Sequence, residues 1–462
     1  MKKKNKVETL ENKSTSINPA ELRITDMKFT DIAIGPMHSI LMKLETNQGL
    51  VGYGEVRDSS EKTYALMLKS RILGENPCDI NRIFNKIKHF GTHSRGGGGV
   101  SAIEIACWDL AGKAYNIPIY QMLGGKVRDK VRVYCDTDID GKPDGKRMGK
   151  ALKERLKQGF TLLKMDLGID LLYDVPGALS GPVGMLDSLK VEIPHCGPNG
   201  GCNYKTGTIS ERYERNRMID AFNIQHHNTG IQITPKGFEW LEKYLKDVRS
   251  VIGYEVPIAI DHLGHISLTE GIKLGKLCEK YNIAWMEDAI PWMYTEQYKI
   301  LQQNVAVPVC TGEDIFGHEN FEPLIKTQGV SIVHPDILTC GGIMECKRIS
   351  EMAGEHGISM CIHEAESPIA ALAAAHVAMA CENFYALEFH AFDFPWWQDL
   401  VEGVNKPIVK DGFITLDPNA PGLGITELNE ELLAKNIFPG IPGQWEDTDE
   451  WNDRICNDRI WS

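Results

Sequence analysis

Three carboxylates stand at one repeated interval, with Asp261, Glu287 and Glu313 each 26 residues apart. Each closes a short apolar run: Pro257-Ile-Ala-Ile-Asp261, Ile283-Ala-Trp-Met-Glu287 and Val307-Pro-Val-Cys-Thr-Gly-Glu313. An interval of this size holds about one strand, one helix and two loops. Equal intervals place the three acids at the same end of neighbouring parallel strands. Converging carboxylates repel unless a divalent cation joins them, and an all-oxygen ligand set suits Mg2+.

Other apolar runs also end on ionisable residues: Lys164 and Asp166, then Asp336, His363 and Glu388. Asp336 and His363 close adjacent runs, so a carboxylate–imidazole pair is expected. The acid would fix the tautomer and raise the basicity of the ring. The plainer alternative for His363 is a hydrogen-bonded core histidine. Lys164 either bridges a substrate carboxylate to the acid cluster or pairs with one of its acids. Glu388 is either a site acid or a charge balancing His363 or His390.

A metal beside a base points to proton removal next to a carboxylate. Such carbon acids are very weak, and the enediolate forms only where positive charge rests on the carboxylate oxygens. Mg2+ and Lys164 would supply that charge. Loss of a hydroxyl from the next carbon would complete a dehydration.

Eight strands are needed to carry these residues. Val131-Arg-Val-Tyr-Cys135 is the first, Thr161-Leu-Leu-Lys-Met-Asp166 the second, and six more end near Asp261, Glu287, Glu313, Asp336, His363 and Glu388. The last three intervals are 23, 27 and 25 residues. Helical sequence follows each strand, as in a (β/α)8 barrel. An open doubly wound sheet is the competing arrangement; near-equal units without a glycine-rich fingerprint favour closure. The interval of 95 from Asp166 to Asp261 exceeds one unit, so an insertion is expected over about 170–235.

The flanks differ. Residues 1–21 are polar and unpatterned, as in a disordered tail. Residues 22–126 combine strands with the apolar helix around Trp108, as in a small α+β unit, and residues 127–409 carry the barrel. Residues 410–462 are a turn-rich extension expected to return to the small unit, with Trp445, Trp451 and Trp461 available to dock on another subunit.

The chain of 462 residues carries a net charge of −13, which disfavours nucleic acid and anionic membranes as partners. No apolar run reaches the length of a membrane span, and Met1-Lys-Lys-Lys-Asn-Lys lacks the apolar core of a signal peptide. A cytoplasmic location is therefore expected. Twelve cysteines are scattered, and Cys107, Cys278, Cys310, Cys361 and Cys381 fall inside apolar patterns, as buried free thiols do. His195-Cys196 and Cys202 are either half a zinc site or incidental thiols of a glycine-rich loop; no second ligand pair follows.

On specific motifs the chain resembles the mandelate-racemase-like branch of the enolase superfamily, and within it the galactonate- and mannonate-type sugar-acid dehydratases. The resemblance runs from about Leu22 to Leu432. It rests on Ser101-Ala-Ile-Glu-Ile-Ala-Cys-Trp-Asp-Leu-Ala-Gly-Lys113, Pro118-Ile-Tyr-Gln-Met-Leu-Gly-Gly125, Trp285-Met-Glu-Asp-Ala-Ile-Pro291, Thr311-Gly-Glu313 and His334-Pro-Asp-Ile-Leu-Thr-Cys-Gly-Gly342. It implies an α+β capping domain on an α/β, (β/α)7β TIM-like barrel. It also implies Mg2+ held by Asp261, Glu287 and Glu313, an enediolate intermediate, and a homo-oligomer.

Two positions depart from the family. Lys164-Met-Asp166 stands where Lys-x-Lys is usual, so a two-base racemase of the usual pattern is disfavoured. Leu263 stands where some dehydratases carry their general acid. His262 or His265 could substitute, His363 could act alone in a syn elimination, or the insertion could supply Tyr204, Tyr213, His226 or His227. Capping loops near 34–38 and 89–99 would meet the substrate, the second through His93 and Arg95. His262, His265 and His390 complete the candidate substrate-binding set.

The activity expected is that of a carbon–oxygen lyase: a Mg2+-dependent sugar-acid dehydratase giving a 2-keto-3-deoxy acid. His363 and Asp336 serve as base pair, with Lys164, Asp166 and Glu388 around them. The alternatives are an epimerase, racemase or cycloisomerase of a related acid, or an inactive metal-binding regulatory homologue.

Overall fold

The computed structural model describes residues 17–35, 37–58, 60–91, 97–139, 141–182, 230–261, 266–441 and 443–456. The chain begins with a three-stranded antiparallel sheet, β1 (Ile24–Ile34), β2 (Met37–Thr46) and β3 (Val51–Val56). Two longer helices, α1 (Ile80–Ile87) and α2 (Gly98–Tyr115), accompany it among the described residues. Helix α2 is apolar nearly all round and is buried from Gly98 to Gly112, as such a helix must be. It stops at Asn116, whose φ of 58° is the left-handed conformation that ends helices. β3 lies so close to α2 that a Cβ at Gly54 would sit 2.1 Å from the Ala102 carbonyl oxygen. Glycine is required there by contact rather than by conformation.

Eight parallel strands then close into a barrel. They are β4 (Val131–Cys135), β5 (Leu163–Asp166), β6 (Ile258–Asp261), β7 (Ile283–Glu287), β8 (Val309–Thr311), β9 (Ile332–Val333), β10 (Ser359–Ile362) and β11 (Phe384–Phe389). Each pairs with the next, and β11 pairs back on β4. Among the described residues seven α-helices lie between them: α3 (Gly145–Lys157), α4 (Pro235–Ile252), α5 (Leu268–Lys280), α6 (Thr295–Asn304), α7 (His318–Lys326), α8 (Ile343–Glu355) and α9 (Pro368–Ala380). Asp144, Thr234, Ser267 and Ser367 each accept a backbone N–H at the start of a helix, a contact whose removal costs about 1 kcal/mol.

The helix that sequence patterning suggested after the eighth strand is not there. Ala391–Asp393 and Trp397–Leu400 form two short 3-10 turns instead. Pro395 lies between them, and the residue before a proline is pushed away from helical backbone. The architecture is thus (β/α)7β with an α+β cap.

The described ends of the long interval after β5 lie side by side. Leu179–Ser180 pairs antiparallel with Gln232–Ile233, just before α4. Residues 183–229 between them, with Cys196, Cys202, Tyr204, Tyr213, His226 and His227, lie outside the described residues. After β11, the hairpin β12 (Val409–Lys410) and β13 (Phe413–Ile414) adds antiparallel to β4. The chain then reaches back to the cap. Phe438 N–H donates to the Asp31 carbonyl at 2.9 Å, and Thr448 Oγ1 donates to the Met27 carbonyl at 2.6 Å.

Inside the barrel, one residue from or beside each strand forms a closed apolar plug: Tyr134, Leu162, Ala259, Trp285, Cys310, Ile332, Cys361 and Ala386. All are buried, and the described cysteines are free thiols. Among the described residues no helix is long and apolar enough to cross a membrane.

Candidate active site

Side chains alternate along a strand, so residues two positions past the plug also face the barrel axis, one layer nearer the C-terminal mouth. That layer is Asp136, Lys164, Asp261, Glu287, Gly312, His334, His363 and Glu388. Seven of the eight are ionisable, and all seven are buried. An apolar floor with a charged layer above it is the arrangement expected of a site at the C-terminal face.

Lys164 is the hub. Its Nζ lies 2.5 Å from Asp261 Oδ2, 3.1 Å from Glu287 Oε1 and 2.7 Å from Glu388 Oε1. Burial opposes its charge, but the three carboxylates hold its pKa well above the ordinary lysine value. Glu287 also accepts from Trp285 Nε1 at 3.0 Å and lies 2.7 Å from His334 Nδ1. His334 Nε2 meets the Tyr134 hydroxyl at 2.8 Å. Burial opposes charge on His334, yet Glu287 and Glu388 raise its pKa.

His363 and Asp336 do form a pair, with Nδ1 and Oδ2 2.7 Å apart. Nδ1–H donates to the carboxylate, which leaves Nε2 as the nitrogen that can take a proton. Nε2 lies 3.1 Å from Glu313 Oε2 and 3.8 Å from Glu388 Oε2. Behind this pair stands Arg57, which directly follows β3 of the cap. Its Nη1 donates to Asp336 Oδ2 at 2.9 Å and to Glu366 Oε1 at 2.5 Å, and lies 3.2 Å from His363 Nδ1. Its Nη2 lies 3.5 Å from Glu313 Oε1. Burial and the adjacent Arg57 cation push His363 well below the ordinary histidine value, so the ring is neutral at neutral pH.

Glu313 takes a different course from the other two acids of the repeat. Gly312 has φ of 147°, and a Cβ there would meet the Phe321 ring at 2.7 Å and the His334 backbone at 3.1 Å. The turn throws Glu313 out of phase with the strand and toward Arg57 and His363. We expect Gly312→Ala to cost roughly 1–3 kcal/mol through backbone strain and overpacking, measured by urea unfolding. An unchanged unfolding midpoint would contradict this.

Asp288, absent from the sequence-based candidates, joins Asp261 and Glu287: each presents an oxygen, all within 4.8 Å of one another. Its φ of 45° turns the chain sharply after β7, and Thr311 Oγ1 donates to its Oδ1 at 2.6 Å. Burial, with Glu313, Asp261 and Glu287 beside it, pushes the Asp288 carboxyl well above the usual carboxylate range. Acids crowded until one prefers to keep its proton are a place where a dication would be welcome. The donors are all hard oxygens, so the residues fit Mg2+.

Asp166 ends β5, in register with Asp261 and two residues nearer the mouth than Lys164. His390 follows β11, and its Nε2 donates to Glu388 Oε1 at 3.1 Å while Nδ1 faces Asp136 Oδ2 at 3.6 Å. His93, Arg95, His262 and His265 lie outside the described residues. Sequence patterning missed Arg57, Asp136, Asp288, His334 and Glu366. Counting two residues on from Tyr134 and Ile332 would have found Asp136 and His334. Nothing local marks Arg57, which meets Asp336 across 279 positions of sequence.

Comparison with known proteins agrees with this architecture. Residues 16–124 match the mandelate racemase / muconate lactonizing enzyme N-terminal domain, and residues 205–432 match the enolase C-terminal domain-like family. The D-xylonate dehydratase of Haloferax volcanii is 30% identical over 429 residues, covering 91% of this chain and 90% of that protein. A D-galactonate dehydratase family member of Pantoea ananatis is 26% identical, covering 92% of this chain and 97% of its own. The crystal structure of a mandelate racemase/muconate lactonizing enzyme-like protein from Rubrobacter xylanophilus superposes with a TM-score of 0.73. It is 26% identical and covers 91% of this chain and 98% of that one. Both domain matches and a relative 30% identical along nearly its whole length show that this chain belongs to the mandelate racemase/muconate lactonizing enzyme family of the enolase superfamily.

Proposed function

We propose that the protein is a Mg2+-dependent hydro-lyase that dehydrates a sugar acid to a 2-keto-3-deoxy acid. The observation that carries this reading is a His363 oriented by Asp336 beside an all-oxygen acid group, in a chain similar to a D-xylonate dehydratase along nearly its whole length. Asp261, Glu287 and Asp288, with Glu313 at the rim, are the residues that would hold the metal. Bound there, the dication supplies positive charge to the carboxylate oxygens of the substrate as its α-proton leaves.

The chain's own groups do the rest. His363 Nε2 accepts the α-proton. Asp336 holds the ring in that tautomer and stabilises the imidazolium that forms. Lys164 fixes Asp261, Glu287 and Glu388 and lowers their mutual repulsion. The apolar plug beneath them excludes water from the floor of the site, which strengthens every charge interaction above it. A small, anionic, hydroxylated substrate is the partner this site suits.

Incubation of the purified protein and Mg2+ with a panel of aldonates, including D-xylonate and D-galactonate, is expected to yield a 2-keto acid lighter than its substrate by one water. Chelation of divalent metal should stop the reaction, and Mg2+ should restore it. A product of unchanged mass would instead indicate an epimerase or cycloisomerase. No turnover of any aldonate would remove the proposal.

A further inference from the structure

We propose that His390 is the general acid of this dehydration, giving its proton to the departing β-hydroxyl on the same face from which His363 takes the α-proton. The inference rests on the dehydratase reading above and assigns the one role that reading leaves unfilled.

Position is the first argument. His390 lies two residues beyond Glu388, one step nearer the mouth. Its side chain is 24% exposed, against 6% for His363, so it meets what enters while remaining mostly enclosed. A ring nitrogen of His390, one of His363 and an oxygen of Glu388 all lie within 4.8 Å of one another. The ring centroids are 6.0 Å apart. Adjacent carbons are about 1.5 Å apart, and proton-transfer partners approach to about 3 Å. Two nitrogens less than 5 Å apart therefore reach a C–H and a neighbouring C–O only when both bonds project on one side. The geometry is that of a syn elimination with separate acid and base.

Charge is the second argument. The groups facing His390 are Glu388 at 3.1 Å, Asp136 at 3.6 Å, the His363 ring, and Lys164, which lies on the far side of Glu388 at 2.7 Å from it. Burial opposes a charge on His390, but Glu388 and Asp136 raise its pKa to about 9. His390 thus carries a proton at neutral pH. A protonated imidazole at the mouth of the site is a ready acid.

The step balances. The Cα–H bond breaks, its proton goes to His363 Nε2, and its electron pair becomes the carbon–carbon π bond. The Cβ–O bond breaks with its pair, the oxygen takes the His390 proton, and water leaves. The enol so formed becomes the 2-keto acid. Glu388, between the two rings, is placed to return the proton from His363 to His390.

The test uses the aldonate that the wild type dehydrates and its 3-deoxy-3-fluoro analogue, whose fluoride leaves without protonation. In His390→Asn, dehydration should fall about 10²- to 10⁴-fold. Fluoride release and solvent exchange of the α-proton should stay within a few-fold of wild type. The wild-type rate should decline as pH rises through about 9, where the acid loses its proton, and the variant should lack that limb. Dehydration at the wild-type rate would overturn the assignment. So would equal loss of exchange and fluoride release in both His390→Asn and His390→Gln with far-UV circular dichroism retained, because His390 would then only position Glu388. A wild type that dehydrates no aldonate sinks the function itself, and this assignment with it.

Discussion

His363→Asn abolishes both dehydration and α-proton exchange, while Mg2+ uptake persists: this is the expected result, and it separates the base from the metal site. General bases contribute about 10²- to 10⁴-fold, and loss of the first proton transfer blocks everything after it. Asparagine is close in size and keeps a polar group opposite Asp336 Oδ2, now 2.7 Å from the ring. The oxygens of Asp261, Glu287 and Asp288 are untouched by the change. Calorimetry of Mg2+ binding and deuterium exchange at the α-carbon are the two measurements. Retained exchange would move the base elsewhere, and Asp166 would be the next residue to replace.

The contrast with His390 sharpens this. Both variants lose dehydration, but only His363→Asn should lose exchange. One defect lies before carbanion formation and the other after it. A single pair of assays therefore orders the two histidines along the reaction.

The barrel was legible because its chemistry sits at strand ends and its strands recur at near-equal intervals. Asp261 and Glu287 are the last residues of β6 and β7, as their apolar runs imply. What sequence could not show is where backbone departs from the strand. Glu313 follows Gly312, whose φ of 147° breaks the alternation, so an equal interval did not bring an equal direction. Asp288 should point away from Glu287, yet a left-handed φ of 45° brings its oxygen to the same cluster. His334 lies just past a two-residue strand and was passed over for Asp336, although alternation from the buried Ile332 points to it. The missing eighth helix has a local cause in Pro395. Arg57 is the deepest omission: it directly follows a strand of another unit, and no periodicity connects that strand to the base.

That omission leads to the second large effect. Arg57 is 1% exposed, and it is the cation shared by Asp336 and Glu366. Breaking a buried ion network by removing one partner costs about 3–5 kcal/mol, because the remaining charges stay buried without compensation. Arg57→Leu should therefore lower the unfolding midpoint markedly and also lower turnover, since Asp336 Oδ2 loses the cation behind His363, although the Leu338 and Thr339 N–H groups still hold its Oδ1. Burial already pushes the Glu366 carboxyl well above the usual range, with Asp336, Asp58 and Glu55 adding to it and Arg57 opposing. Without Arg57 it rises further. A carboxyl with a raised folded-state pKa binds its proton more tightly when folded, so its destabilisation is absent at acid pH and grows as pH rises above the ordinary glutamate value. The stability gap between Arg57→Leu and wild type should accordingly widen from acid to neutral pH. Adding Glu366→Leu removes one of the stranded charges and should recover part of the stability. It should recover none of the activity, because Asp336 and His363 still lack the cap's guanidinium. Arg57→Lys keeps the charge but not the planar fork, and belongs between the two in both measurements. If Arg57→Leu turned over substrate normally after stability was restored, the cap would contribute shelter to this site and nothing to its chemistry.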